Sequence, residues 1–100
     1  MTLFRWDEAK ASVNKRKHGI TFSDAIHVFE DPFAFSEPDR IVEGEIRWQT
    51  IGLVADVILV LVAHTVEEES GEELIRIISA RRATRGERRR YEQNRYENVT

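Results

Sequence analysis

The sequence contains no cysteine, and this absence excludes disulfide bonds, thiolate metal ligands and cysteine nucleophiles. A cysteine-free chain also suits a reducing compartment. Long hydrophobic runs are missing as well, because the longest, residues 57–63, has seven residues, whereas a membrane-spanning helix needs about 20. The first residues lack the basic and then apolar pattern of a secretion signal. We therefore expect a cytoplasmic protein.

The composition predicts one compact domain over residues 1–100, since 41% of the residues are hydrophobic. The net charge of −3 is distributed unevenly: residues 1–20 carry +3, residues 21–75 carry −11 and residues 76–100 carry +5. If the two basic ends meet in the fold, they form a basic face that attracts phosphate despite the negative total. The alternative is that the C-terminal arginines only form the solvated face of a helix.

Local signals predict three helices. The first begins after Asp7, a residue type that caps helices, carries Val13 inward and ends at Gly19, which suits a left-handed C-cap. The second is predicted within residues 21–31, before a proline. The third begins at a capping box, in which Thr84 is followed three residues later by Glu87, and extends to about residue 96.

Apolar runs before and between these helices predict the strands of an antiparallel sheet. They cover residues 3–6, 33–36, 45–53, 57–65 and 74–80. The polar residues 37–44 are expected to form a turn or a mobile loop, and the acidic residues 67–73 an exposed turn. The sequence thus predicts an α+β fold in which two N-terminal helices and one C-terminal helix pack on an antiparallel sheet.

Three stretches carry a family resemblance: FRWDEAKASVNKRKHGITFSDAIHVFEDP, EIRWQTIG and IRIISARRATRGERRRYE. Together they resemble the BrnT family. The resemblance implies a RelE-like fold and a toxin of a type II toxin–antitoxin system that cleaves RNA without metal or cofactor and arrests translation. It also implies a BrnA-like antitoxin with a ribbon-helix-helix DNA-binding domain, DNA contact only through that antitoxin, and a toxin homodimer within the complex. Ile46 departs from the family, which often has an acid or polar residue there.

Metal-independent RNA cleavage requires a base for the ribose 2′-OH, cationic donors for the charge at phosphorus, and an acid for the leaving oxygen. His18 ends the first helix beside Lys17, which favours a neutral imidazole that can act as the base; capping its own helix is the alternative. Arg47 and Arg76 each interrupt an apolar strand, where an arginine binds phosphate or pairs with a carboxylate. Arg81 follows the last strand. With the family motifs added, we predict His18, Arg47, Arg76 and Arg81 as catalytic.

The predicted RNA-binding residues are basic, or aromatic and able to stack on bases. They are Lys15, Lys17, Trp48, Arg82 and Arg85. No metal site is predicted, because the three histidines lack the spacing of zinc ligands; packing explains His27 and His64. Two other functions remain open: a non-catalytic binding module that docks an acidic partner, and a co-repressor that acts only with its antitoxin.

Overall fold

The computed structural model describes residues 1–99 as a five-stranded sheet with helices on both faces. The strands are β1 (Thr2–Arg5), β2 (Phe35–Val42), β3 (Glu45–Val54), β4 (Ile58–Glu69) and β5 (Glu72–Arg82). Their spatial order is β1-β5-β4-β3-β2. The α+β class is confirmed, but the sheet is mixed, because β1 pairs in parallel with β5. The predicted antiparallel sheet is wrong at this edge, where the two partners lie far apart in sequence and no local pattern marks their pairing.

Strand β2 includes most of the segment that the sequence analysis assigned to a turn or loop. This strand includes several polar residues because β2 is an edge strand, which within residues 1–99 pairs only with β3 and is exposed along most of its length. The acidic turn is also shorter than predicted. Only Ser70 and Gly71, both with positive φ, connect β4 to β5, and the flanking glutamates belong to the strands. Polar composition in this chain therefore marks exposed strands as well as turns.

The first and third helices begin at the predicted capping residues, and the first also ends at one, whereas the third extends to Val99, beyond the predicted end near residue 96. Helix α1 (Glu8–His18) starts where the Asp7 side chain accepts a hydrogen bond from Lys10 N at 3.1 Å, and it ends at Gly19 with φ 74°. The second predicted helix is in fact α2 (Phe22–Ala25) followed by a 3₁₀ helix (Ile26–Glu30). Helix α3 (Arg85–Val99) starts at the predicted capping box. None of these helices within residues 1–99 is long and apolar enough to cross a membrane.

Two apolar layers hold the helices to the sheet. On the first face, α1, α2 and the 3₁₀ helix cover a core that includes Phe22, Val62 and Ile77. On the second face, Tyr91 of α3 packs with Ile51, Leu59 and Leu61 at one end of the sheet. The other end of the second face carries polar side chains that range from the buried Thr65 to the exposed Arg40, and we call it the open face.

Helix α1 is rotated relative to the prediction, which placed Val13 inside. Val13 is 51% exposed, and its neighbour Asn14 is buried. The Asn14 amide donates to Ile20 O at 3.0 Å and to Ala80 O at 2.9 Å, and it accepts from Ala80 N at 3.1 Å. This side chain takes the place of a strand partner on β5 beyond the end of β1. Because unpaired buried backbone groups are costly, these hydrogen bonds determine which side of α1 faces the sheet.

A β-bulge shifts the register between β4 and β5. Ala63 pairs with Ser79 and His64 pairs with Ile77, so Ile78 is an extra residue in β5. Two side chains on opposite sides of Ile78 therefore point to the same face only when their residue numbers differ by an odd number.

Candidate functional site

Three arginines form a row across the open face. Arg40 of β2 pairs with Arg47 of β3, and Arg76 of β5 pairs with Thr65 of β4. The β3–β4 register, continued by one residue, sets Arg47 opposite Thr65. Since neighbouring strands lie about 4.8 Å apart, the four side chains stand side by side across four strands. We call this set the arginine row.

Two glutamates lie on the open face next to the arginine row. Glu45 and Glu67 share a hydrogen bond, which, together with burial and the charge of Glu67, raises the pKa of Glu45; Arg47 and Arg76 partly oppose this shift. Arg76 Nη2 lies 3.6 Å from Glu67 Oε2. The open face thus combines cationic donors with two neighbouring carboxyls.

Two buried polar atoms of the arginine row lack protein partners. Within residues 1–99, neither Arg47 Nε nor Thr65 Oγ1 makes a hydrogen bond. Leaving such a group unpaired costs about 1–3 kcal/mol, so native proteins seldom tolerate it without a reason. Both atoms can donate a hydrogen bond, and they belong to adjacent strands of the row. A bound oxyanion would satisfy both at once.

Arg81 points to the same face as the arginine row but is engaged by α3. Its guanidinium donates to both carboxylate oxygens of Glu87, at 2.8 and 3.0 Å. The hydrogen bond from Arg81 lowers the pKa of Glu87 to about 2, and the same contact raises the pKa of Arg81. Glu87 also accepts from Thr84 N at 2.8 Å. The planar fork that was predicted for phosphate therefore helps to hold the start of α3, and a catalytic role of Arg81 stays a prediction.

The other predicted site residues lie away from the arginine row. Lys15, Lys17 and His18 belong to α1, which packs on the first face of the sheet. Strand alternation directs Trp48 and Arg82 to the first face too, because they pair with His64 and Val60 of that core. Arg85 is exposed at the start of α3. The condition for one basic face is not met by the two helices, since the sheet separates α1 from α3.

Sequence reasoning missed several residues of the open face. Arg40 fell in the segment assigned to a loop, and neither Thr65 nor Glu45 was predicted as a site residue. Glu67 was assigned to an exposed turn. The register of β2 with β3 and of β3 with β4 brings these residues together, and only alternation along β3 from Arg47 could have indicated Glu45.

Asp31, which the sequence suggested only ends a helix, joins three segments. It accepts hydrogen bonds from Tyr91 Oη at 2.5 Å, Leu53 N at 2.8 Å and Phe33 N at 2.9 Å. Burial alone would raise the pKa of Asp31, but these hydrogen bonds and the charge of Arg95 outweigh it, so the pKa lies below 3.8. The carboxylate therefore fixes α3 to the sheet.

Of the remaining histidines, His64 packs in the core, whereas His27 is exposed, so packing does not explain His27. His64 is buried, its Nε2 lies 2.6 Å from Thr50 Oγ1, and burial lowers its pKa. His27 lies 3.2 Å from Glu30. No group of three or more His, Asp or Glu residues within residues 1–99 is arranged to hold a metal ion.

Residues 6–87 match the family model described as the ribonuclease toxin, BrnT, of a type II toxin–antitoxin system. The fold is similar to the crystal structure of the Brucella abortus ribonuclease toxin, BrnT, with a TM-score of 0.64 and 28% sequence identity. That alignment covers 85% of this chain and 99% of the Brucella chain. No curated protein matches the sequence. The matched residues include the whole arginine row and both glutamates.

Proposed function

Because the chain belongs to the BrnT family of ribonuclease toxins of type II toxin–antitoxin systems, we propose that it is an endoribonuclease whose active site is the open face. The arginine row carries this proposal, since two buried donors of the row, Arg47 Nε and Thr65 Oγ1, lack partners within residues 1–99. An RNA phosphate has the charge and the acceptor oxygens that this row could bind. The enzyme cuts RNA without a metal ion and thereby arrests translation.

The reaction is a transfer of the phosphate to the ribose itself. The 2′-oxygen bonds to phosphorus and loses its proton to a base, while the bond to the 5′-oxygen breaks and that oxygen takes up a proton from an acid. The products are a 2′,3′-cyclic phosphate and a 5′-hydroxyl. Negative charge grows on the non-bridging oxygens in the transition state, where aimed cationic donors stabilise it most.

Arg47 and Arg76 supply those donors in our proposal. We assign the two proton transfers to the neighbouring carboxyls Glu45 and Glu67, since an ionised carboxylate can accept a proton and a protonated carboxyl can donate one. His18 was predicted as the base, but its helix packs on the opposite face. For that role, RNA would have to pass around the edge of the sheet. The carboxyl pair requires no such path, since it lies beside Arg76.

The partners follow from the family. We propose that an antitoxin with a ribbon-helix-helix DNA-binding domain neutralises the toxin in the cytoplasm, and that DNA is contacted only through this antitoxin. Two toxin chains join in that complex. The fold belongs with the RelE-like toxins in this proposal, on the basis of a sheet that holds basic side chains on one uncovered face.

Cleavage of a defined single-stranded RNA in EDTA tests the site. Arg76→Gln should lower the rate about 10²-fold or more, because its donors act in the transition state. Arg88→Gln is the matched control, as Arg88 is equally exposed but lies on α3 in an i,i+4 pair with Glu92. It should leave the rate within about threefold of wild type. Equal rates for the two variants would contradict the proposed site, and loss of all cleavage in EDTA would contradict metal independence.

Thr65→Val separates an effect on cleavage from an effect on stability. It replaces an unpaired buried hydroxyl with a methyl group of similar size, so the melting temperature should stay the same or rise. If the hydroxyl binds the RNA phosphate, cleavage should nevertheless fall about tenfold. Stability and activity then move in opposite directions, which unfolding cannot explain. An unchanged rate would remove Thr65 from the site. RNA binding by the wild type without any cleavage would favour the non-catalytic binding module.

A further inference from the structure

A groove of about 350 Å³ runs between α1 and β5, on the side of the sheet away from the arginine row. Its apolar floor consists of Ala9, Val13 and Ile78. Val13 is 51% exposed although it is in the middle of a helix, because Asn14 takes the position that faces the sheet. Apolar groups exposed together in a concave site gain free energy when a partner covers them.

The groove also lies along a free stretch of strand edge. Strand β1 pairs with β5 only as far as Arg76, and the Asn14 side chain takes both backbone groups of Ala80. Within residues 1–99, no strand pairs with this side of residues 77–79. An extended peptide can add backbone hydrogen bonds at such an edge while its side chains enter the groove.

The charged side chains around the groove are the cations Lys10 and Lys17. His18 lies beside them, and no lining residue within residues 1–99 is acidic. The groove therefore complements a peptide with an apolar side chain between acidic residues. Phe, Tyr and Trp, on which single-stranded RNA commonly stacks, are absent from the described lining residues, so the groove suits a protein segment better than RNA.

We propose that an extended, acidic segment of the antitoxin docks in this groove, with an apolar side chain against Val13 and Ile78. The proposal rests on the proposed function, in which an antitoxin neutralises this toxin. The segment anchors the antitoxin on the first face of the sheet, away from the arginine row. It therefore contributes affinity without touching the residues that cleave RNA.

The test compares substitutions inside and outside the groove on the full-length toxin. Val13→Asn removes the apolar contact, and Lys10→Glu reverses one charge of the rim. Their controls are Val57→Asn, at an apolar residue that is 75% exposed in the turn between β3 and β4, and Arg16→Glu, on an exposed side of α1 that does not line the groove. Affinity for the purified cognate antitoxin is measured by calorimetry at low and high salt, and RNA cleavage is measured on the free toxin.

Val13→Asn and Lys10→Glu should each weaken antitoxin binding about tenfold, and the loss from Lys10→Glu should shrink at high salt. The controls should bind within about twofold of wild type. All four free variants should cleave RNA and melt as the wild type does. Wild-type affinity of Val13→Asn would overturn the proposal, and so would equal losses in Lys10→Glu and Arg16→Glu, which indicate only bulk charge.

Slower RNA cleavage by Val13→Asn and Lys10→Glu, with antitoxin affinity unchanged, would assign the groove to RNA and also overturn the proposal. A wild-type toxin that binds its antitoxin but does not cleave RNA would instead contradict the proposed function. The two failures are distinguishable, because antitoxin affinity and RNA cleavage are measured separately.

Discussion

Glu87→Gln should destabilise the protein through the loss of one charge. The Glu87 carboxylate accepts two hydrogen bonds from Arg81 and one from Thr84 N. These contacts favour the ionised form so strongly that the pKa falls from 4.5 to about 2. Glutamine retains the shape and can still accept the capping hydrogen bond, but it cannot form the ion pair. The variant thus isolates the charge of Glu87.

The expected magnitude follows from the pKa. A shift of one pKa unit corresponds to about 1.4 kcal/mol. The fall in the pKa of Glu87 from 4.5 to about 2 therefore corresponds to a contribution of about 3 kcal/mol to the free energy of unfolding at neutral pH. The Arg81 side chain is 36% exposed, so water screens part of this interaction. We therefore expect Glu87→Gln to lower the free energy of unfolding by about 1–2 kcal/mol at pH 7.

Urea unfolding between pH 7 and pH 3 measures this difference. The folded pKa of Glu87 is the lower one, so its contribution is complete above about pH 4.5 and is lost as the pH falls towards 2. The gap between wild type and Glu87→Gln should narrow over that range. Glu92→Gln is the control, because its pair with Arg88 is exposed and 3.9 Å long, and it should cost less than about 0.5 kcal/mol. Equal losses of stability in the two variants would refute the reasoning. So would a stability difference between wild type and Glu87→Gln that does not change with pH.

Three further predictions concern the fold. Gly52→Ala should lower the free energy of unfolding by about 1–3 kcal/mol in urea, because an added Cβ would lie 2.8 Å from Val28 O. Asn14→Ala should lower the melting temperature markedly, at a cost of about 3 kcal/mol, since it leaves both backbone groups of Ala80 unpaired. Burial lowers the pKa of His64, so its neutral form contributes fully to the free energy of unfolding above about pH 6.5, and this contribution is lost as the pH falls below that value. His64→Gln should therefore remove part of the pH dependence of stability measured by urea unfolding.

The helix ends could be predicted because their signals are local. Asp7, Gly19 and the Thr84–Glu87 box act on backbone groups within four residues, and each caps the helix end that it was expected to cap. The rotation of α1 could not be predicted, since it depends on hydrogen bonds between Asn14 and β5, which is 66 residues away.

The candidate site could be predicted only in part for the same reason. Arg47 and Arg76 interrupt apolar strands and are visible from the sequence alone. Their alignment with Arg40 and Thr65 depends on the register of four strands, and no single strand contains that information. The engagement of Arg81 by Glu87 likewise arises from the way α3 turns back over the sheet.

The extra residue in β5 decides which cations can share a surface. Arg76 and Arg81 are separated by an odd number of positions, and in an unbroken pleat they would point in opposite directions. Because Ile78 is an extra residue without a partner in β4, both arginines point to the second face. Straightening the bulge without removing a residue would therefore turn Arg81 away from Glu87 and present the Arg82 position to α3 instead, whereas deleting Ile78 would remove the bulge and its extra residue together and leave Arg81 opposite Leu61. For this chain, the bulge between residues 76 and 81 is as much a part of the site as the two arginines.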